Sequence, residues 1–166
     1  MVFSLRPWRL FDDYTAVTAE YLEKKGIRLL LCDLDFTLAP KGVKVPNDSV
    51  RNWIASLQEK GITVMILSNN RRPVRVEQFC APLGIPYEGH AGKPQPKGIY
   101  RAMARVGAKR EETAMLGDKL LTDMLAANLA GVLGLMVEPL GGAVTPWQKV
   151  LHALQAPFKR FPRGKE

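Results

Sequence analysis

Three short apolar runs in this sequence end in the same unexpected way, with polar or acidic residues. "IRLLLCDLD" (27–35), "ITVMILSNN" (62–70) and "ETAMLGD" (112–118) are nearly continuous in apolar side chains until their last positions. A short unbroken run of this kind is the pattern of a strand buried on both faces. Stretches of helical period lie between them. "PNDSVRNWIASLQEKG" (46–61) offers Asn47 or Asp48 as an N-cap, places Val50, Trp53, Ile54 and Leu57 on one face, and stops at Gly61. A shorter helix is predicted over "VRVEQFCAPLG", followed by a brief strand at "IPYEGH". "KPQPKGIYRAMARVGAK" opens with prolines at a helix entrance and puts Ile99, Met103 and Val106 on one side. "LLTDMLAANLAG" reads as a further helix and "VLGLMVEP" as a last strand.

Strand and helix therefore alternate through residue 140. That alternation predicts right-handed βαβ units and a parallel, Rossmann-like α/β sheet with helices on both faces. In such a sheet all strand C-terminal ends share one edge, where ligands bind. Asp33 and Asp35, Ser68 to Asn70, and Asp118 should meet there. At 166 residues the chain suits a single domain. Its core is expected over about 27–140, flanked by an N-terminal helical segment (1–26) and a C-terminal amphipathic helix with a basic tail (141–166). Within the first segment, "TAVTAEYLEKK" (15–25) reads as one short helix carrying Val17, Tyr21 and Leu22, stopped by Gly26.

Composition excludes several classes. No window approaches the roughly 18–20 apolar residues of a membrane-spanning helix. The N-terminus has no secretory h-region, so a cytoplasmic location is the default expectation. Cys32 and Cys80 have neither disulfide nor zinc spacing. The net charge of +8 fits nucleic acid, anionic lipid or phosphorylated small molecules, and equally plain solubility.

The acids at the strand ends carry the chemistry. An Asp carboxylate can attack phosphorus, and a second acid two residues on can protonate the departing alcohol and then activate water. Taken alone, Asp33 and Asp35 read equally as a turn or a helix cap after a strand, and Thr37 as a turn residue. "GDKLLTD" (117–123) adds Asp118 and Asp123, which can face one cation, Asp123 through a water. Ser68 offers a hydroxyl followed by backbone N–H groups that can cradle a phosphate, or simply a strand-to-helix turn. Lys93 can neutralise phosphate charge, with nearby Lys97 as its competitor.

In order, "DLDFT" (33–37), "SNN" (68–70), "KP" (93–94) and "GDKLLTD" (117–123) resemble the four motifs of the haloacid dehalogenase-like superfamily. Over about Leu5 to Leu140, including "KKGIRLLLCDLDFTL", the chain looks like the YqeG family of type IIIA phosphatases. The resemblance implies that Asp33 is nucleophile and magnesium ligand. It makes Asp35 the general acid and base, binding Mg2+ through its backbone carbonyl. Ser68 and Asn69 would hold the phosphoryl group, Lys93 would neutralise it, and Asp118 with Asp123 would complete the metal site. The resemblance extends to a mitochondrial relative that dephosphorylates phosphatidylglycerophosphate, which makes that lipid phosphate the favoured substrate. One residue departs from the pattern: relatives commonly read "DLDNT", so Phe36 stands where a small polar side chain is usual. It can serve as core packing or as an apolar wall at the site mouth.

Cap domains of this superfamily are inserted after the first motif or between the second and third. Here each gap holds one helix and its connections, so no large cap is expected and the site should be open. An open site suits a substrate presented by something large: an anionic membrane surface, a nucleic acid, a protein, or a second copy of the chain acting as lid. "VTPWQKVLHALQAPFKRF" places Trp147, Val150, Leu151, Leu154 and Phe158 at helical spacing with Lys159 and Arg160 following. It can lie on a bilayer as a peripheral anchor or pack on the sheet. "FSLRPWRLF" near the N-terminus raises the same pair of readings. No nucleic-acid module is present. Phosphatases of soluble nucleotides, sugars or nucleic-acid ends remain an alternative, and a phosphate-binding module without turnover is disfavoured because a binder does not need Asp35.

Overall fold

A computed structural model of the chain describes residues 4–141 together with Ala153, Ala156 and Pro157. The side chains expected to form the apolar face of the C-terminal amphipathic helix, Trp147, Val150, Leu151, Leu154 and Phe158, and its basic tail lie outside the described residues. Six parallel strands form one sheet in the order β1-β6-β5-β2-β3-β4. They are β1 (Arg9–Phe11), β2 (Leu29–Cys32), β3 (Thr63–Leu67), β4 (Tyr87–Glu88), β5 (Thr113–Gly117) and β6 (Leu133–Val137). The helices are α1 (Ala19–Lys24), α2 (Asp48–Glu59), α3 (Pro73–Cys80), α4 (Lys97–Val106) and α5 (Leu125–Ala130). This is the Rossmann-like α/β architecture that the alternation predicts.

The apolar runs are continuous because both faces of the sheet are covered. Leu30, Cys32, Val64, Ile66, Ala114 and Leu116 point to one side, where they meet Val50, Trp53, Ile54 and Leu57 of α2 and Val76 and Phe79 of α3. The alternate residues, Leu29, Leu31, Met65, Leu67 and Met115, pack on the other side against Ile99, Ala102 and Met103 of α4 and Ala126, Ala127 and Ala130 of α5. Successive strand residues face opposite ways, so each layer takes every second side chain. All four β2 residues are buried.

Several boundaries reflect local chemistry. The Asn47 side chain accepts from the Val50 amide at 2.9 Å, fixing the start of α2. The stretch 15–25 is two pieces rather than one helix: a 3-10 turn over Tyr14–Ala16, then α1. Two caps divide it, with Asp13 accepting from the Thr15 amide and Thr18 from the Tyr21 amide. The N-terminal segment expected to be helical also supplies an edge strand. β1 pairs with β6 in the register Arg9↔Leu135 to Phe11↔Val137, and three residues are too few for a periodic signal. Val106, expected on the inner side of α4, is 40% exposed, because Gly107 already closes the helix there.

Candidate active site

The central strands deliver their last residues to a common edge. β2 lies between β3 and β5, with Leu31 opposite Met65 on one side and Met115 on the other. Asp33 continues the ladder by one bond, its amide donating to the Leu116 carbonyl at 2.9 Å. Ser68 does the same from β3, donating to the Glu88 carbonyl at 3.0 Å. Asp33, Ser68 and Asp118 thus sit within one residue of ladder bonds that fix their backbones.

Asp33, Asp118 and Asp123 each offer a carboxylate oxygen, and these oxygens lie within 4.8 Å of one another. All three residues are buried. The Lys93 ammonium sits against them, donating at 2.7 Å to Asp123 Oδ1, 3.1 Å to Asp33 Oδ1 and 2.9 Å to the Leu67 carbonyl. Lys119 adds a second ammonium, 3.0 Å from Asp118 Oδ1 and 3.8 Å from Asp33 Oδ2. Asp123 reaches the cluster with its own carboxylate, because the chain after Asp118 forms one wide π-type turn over Leu120–Met124. Its other oxygen accepts from the Lys119 amide at 3.2 Å. Gly117 makes the room: a Cβ there would run into the Asp123 side chain.

Burial sets the electrostatics. It pushes the Asp118 carboxyl up to about 7, with the Lys119 ammonium opposing and the Asp123 and Asp33 charges adding to the rise. Burial raises Asp123 as well, against the pull of Lys93. Lys93 itself would lose its proton more easily on burial, but Asp123 and Asp33 outweigh that and hold it firmly as an ammonium. A cluster that concentrates negative charge, built only from hard oxygen donors, fits a small divalent cation. Both thiols are shut away; burial pushes Cys80 up to about 12 and Cys32 higher still.

The remaining residues take up definite places. Ser68 is buried beside Lys93, and its hydroxyl oxygen accepts from the Asn70 amide at 3.1 Å. Asn69 spends its side chain on Lys93: its amide group donates to the Lys93 carbonyl and accepts from the Lys93 amide, both at 2.9 Å. It therefore pins the loop that carries the lysine, leaving its backbone N–H as the group with which to meet a phosphate. The Lys93–Pro94 peptide is cis. Lys97 is exposed at the start of α4 and stands apart from the cluster. Thr37 donates to Asp118 at 3.3 Å, tying the first motif to the fourth.

Asp35 points away from the metal-type cluster and pairs with Arg75, whose Nη1 lies 2.6 Å from Asp35 Oδ1. Phe36 has φ of +64°, a left-handed backbone that a bulky side chain rarely adopts. Asn tolerates that conformation better than a bulky aromatic does. Here the ring is 9% exposed and lies under the Lys119 ammonium, 5.3 Å from its centroid. Phe36 is thus buried beneath Lys119 and does not itself line the cavity, and it lies outside the clusters that fill the two faces of the sheet. Neither Arg75 nor Lys119 was legible as a site residue. Lys119 could have been found from its place inside "GDKLLTD", whereas Arg75 looks like any cation on a half-exposed helix.

Asp33, Asp35, Ser68, Asn69 and Lys93 line a cavity of about 390 Å³ with Lys41 and Lys119 at its sides. Carboxylates that can attack and hold a cation, beside ammonium groups that can hold negative charge, define a hydrolase site for an anionic group. Residues 5–131 match the haloacid dehalogenase-like hydrolases, and the chain belongs to that family. It is 35% identical over 127 residues to the probable phosphatase YqeG of Bacillus subtilis (strain 168), covering 76% of this chain and 73% of that protein. Among solved structures it resembles the cobalt-bound deoxy-D-mannose-octulosonate 8-phosphate phosphatase of Haemophilus influenzae. There the TM-score is 0.57 at 17% identity, covering 82% of this chain and 91% of the other. A subfamily III A hydrolase from Legionella pneumophila aligns with a TM-score of 0.51 at 19% identity, over 85% and 88% of the two chains. The chain is accordingly a phosphatase-type member of the family, whose hydrolases generally use a divalent metal.

Proposed function

We propose that this protein is a magnesium-dependent phosphomonoesterase that works through an aspartyl phosphate on Asp33, with phosphatidylglycerophosphate as its favoured substrate. The observation that carries the chemistry is the Asp33 carboxylate, held by a buried lysine in a cavity that also presents Ser68 and Asp35. Asp33 attacks phosphorus, and the bond to the leaving oxygen breaks with its electron pair going to that oxygen. The Asp35 carboxyl gives it a proton. Asp35, now a carboxylate, takes a proton from water as the water attacks phosphorus, releasing inorganic phosphate and regenerating both aspartates. Lys93 holds the phosphate charge, and Ser68 with the Asn69 amide orients the phosphoryl oxygens. Asp33, Asp118 and Asp123 would hold Mg2+, which when bound would screen the incoming dianion and polarise its oxygens.

The lipid reading draws support from the rim. Among the described residues, four large hydrophobic side chains are conspicuously exposed, and three of them follow the carboxyl ends of the strands: Val45 in the loop before α2, Val74 in the first turn of α3 and Leu121 in the turn after Lys119. Exposed Lys41 and Lys44 stand in the loop before α2, and exposed Arg71 and Arg72 just before α3. Apolar tips among cations around an uncapped cavity suit an anionic lipid surface. The acids Asp12, Asp13 and Glu138 lie at the β1–β6 end of the edge, so such a surface would meet the β2–β3 side. A soluble sugar phosphate is the second reading, favoured by the sugar-phosphate phosphatase among the structural neighbours.

Phosphate release from liposomes carrying phosphatidylglycerophosphate, compared with soluble phosphomonoesters, separates the two. Wild type with Mg2+ should hydrolyse the lipid faster, and Asp33→Asn protein should hydrolyse neither. Turnover retained by Asp33→Asn would end the aspartyl-phosphate reading. Untouched liposomes beside rapid soluble turnover would end the lipid reading alone.

A further inference from the structure

Arg75 is the third residue of α3, the helix that follows Ser68, Asn69 and Asn70. Its guanidinium reaches back to the first motif. Nη1 lies 2.6 Å from Asp35 Oδ1, and Nε donates to the Val43 carbonyl at 3.1 Å. The side chain is only 15% exposed. Nη2 is buried with no hydrogen-bond partner among the described residues, and Asp35 Oδ1 likewise meets the guanidinium as a charge contact without a hydrogen bond. A cation is thus drawn out of water to stand against one carboxylate, although α3 could have turned it to solvent. Among the described residues, no other charged side chain forms an ion pair with Asp35. The same guanidinium clamps the loop after β2, the loop that brings Lys41 to the cavity.

We infer that Arg75 is the positioning residue for the Asp35 acid–base group, and that it thereby sets which leaving groups the enzyme can expel. This rests on the phosphomonoesterase reading above. Asp35 is needed most when the departing oxygen is a poor leaving group. An alkoxide must receive the Asp35 proton as its bond to phosphorus breaks, whereas a nitrophenolate can depart with the electron pair and no proton. A planar guanidinium anchored at Val43 holds the carboxyl at one place over the cavity; without it, Asp35 keeps its chemistry but loses its aim.

The test compares glycerol phosphate with p-nitrophenyl phosphate for wild type, Arg75→Met, Arg75→Lys, Asp35→Asn and Asp35→Asn/Arg75→Met. The quantity read is kcat/KM, which ends at leaving-group departure and so excludes the shared hydrolysis of the aspartyl phosphate. Arg75→Met should lose about 10- to 100-fold on glycerol phosphate and less than about threefold on p-nitrophenyl phosphate, a fraction of the 10²–10⁴ that acid–base catalysis supplies. Arg75→Lys should recover part of the loss, and the double variant should be no worse than Asp35→Asn. Equal losses on both substrates, no loss on glycerol phosphate, or additive losses in the double variant would overturn the assignment. Should Arg75→Met fail to fold, the same comparison is made on Arg75→Lys, whose single nitrogen cannot take the places of both Nη1 at Asp35 and Nε at Val43. A wild type that releases phosphate from neither substrate, nor from phosphatidylglycerophosphate liposomes, overturns both this inference and the phosphatase reading. Normal p-nitrophenyl phosphate turnover with no leaving-group effect overturns this inference alone.

Discussion

Lys93→Met should destabilise the metal-free protein severely, and more so at alkaline than at acid pH. The native ammonium is 2% exposed and touches two carboxylates, at 2.7 and 3.1 Å. At an effective dielectric near 20, each contact is worth about 5 kcal/mol of Coulomb attraction, much of it offset by taking the ammonium out of water. The variant removes that gain and leaves three buried carboxylates facing Lys119 alone. Removing one partner of a buried pair costs about 3–5 kcal/mol, and in a chain of this size that lowers Tm by roughly 10 °C. The pH dependence follows from the raised carboxyls. Asp118 titrates near 7 in the fold, against about 3.9 unfolded. A carboxyl raised by folding contributes stability while protonated and loses it as pH climbs through the folded value. At pH 5 the cluster carries less charge and the variant should be penalised less; at pH 8 the full cost should appear. Urea unfolding in EDTA at both pH values measures this. A loss below about 1 kcal/mol at pH 8, or equal losses at pH 5 and 8, would refute the view that Lys93 holds a mutually repelling acid cluster together.

The same linkage predicts that wild-type protein in EDTA gives up part of its stability between about pH 4 and 7, at most about 4 kcal/mol from Asp118. Asp118→Asn should flatten that slope in thermal melts. Gly117→Ala drives a methyl into the Asp123 side chain; it should cost about 1–3 kcal/mol in urea unfolding and weaken Mg2+ binding in calorimetry. Phe36→Asn removes about 1 kcal/mol of left-handed backbone strain but forfeits the buried ring beneath Lys119, so a net loss of about 2 kcal/mol is expected by urea unfolding. A gain in stability would mean that the ring contributes nothing there.

The sheet was legible because its central strands are buried twice over. Leu29 to Cys32 have no polar face to blur the pattern, and each run ended in the groups that now form the site. The convergence of Asp33, Ser68 and Asp118 followed from topology, since parallel strands share an edge; Lys93, a loop residue, was legible only from its place in the order of the motifs. What stayed hidden depended on side-chain reach. Asn69 was expected on the phosphate, yet its amide matches the Lys93 peptide and is consumed there. The wide turn after Lys119, which places the Asp123 carboxylate against Lys93, has no periodic signature in the sequence. Arg75 finds Asp35 across the gap between two loops, a distance that no spacing in the sequence encodes.

The pairing of β1 with β6 bears on how the chain is made. Arg9 meets Leu135, so among the described residues the first strand in chain order has the last as its neighbour in the sheet. Until residues 133–137 emerge, β5 keeps an open hydrogen-bonding edge and residues 9–11 have nothing to pair with. The central strands β2 and β3 can associate early, but closure waits for nearly the whole described chain, and the contact that completes it has the high sequence separation that slows folding. A nascent or truncated chain ending before residue 133 would expose that β5 edge to any other strand nearby, making it the segment most prone to aggregate.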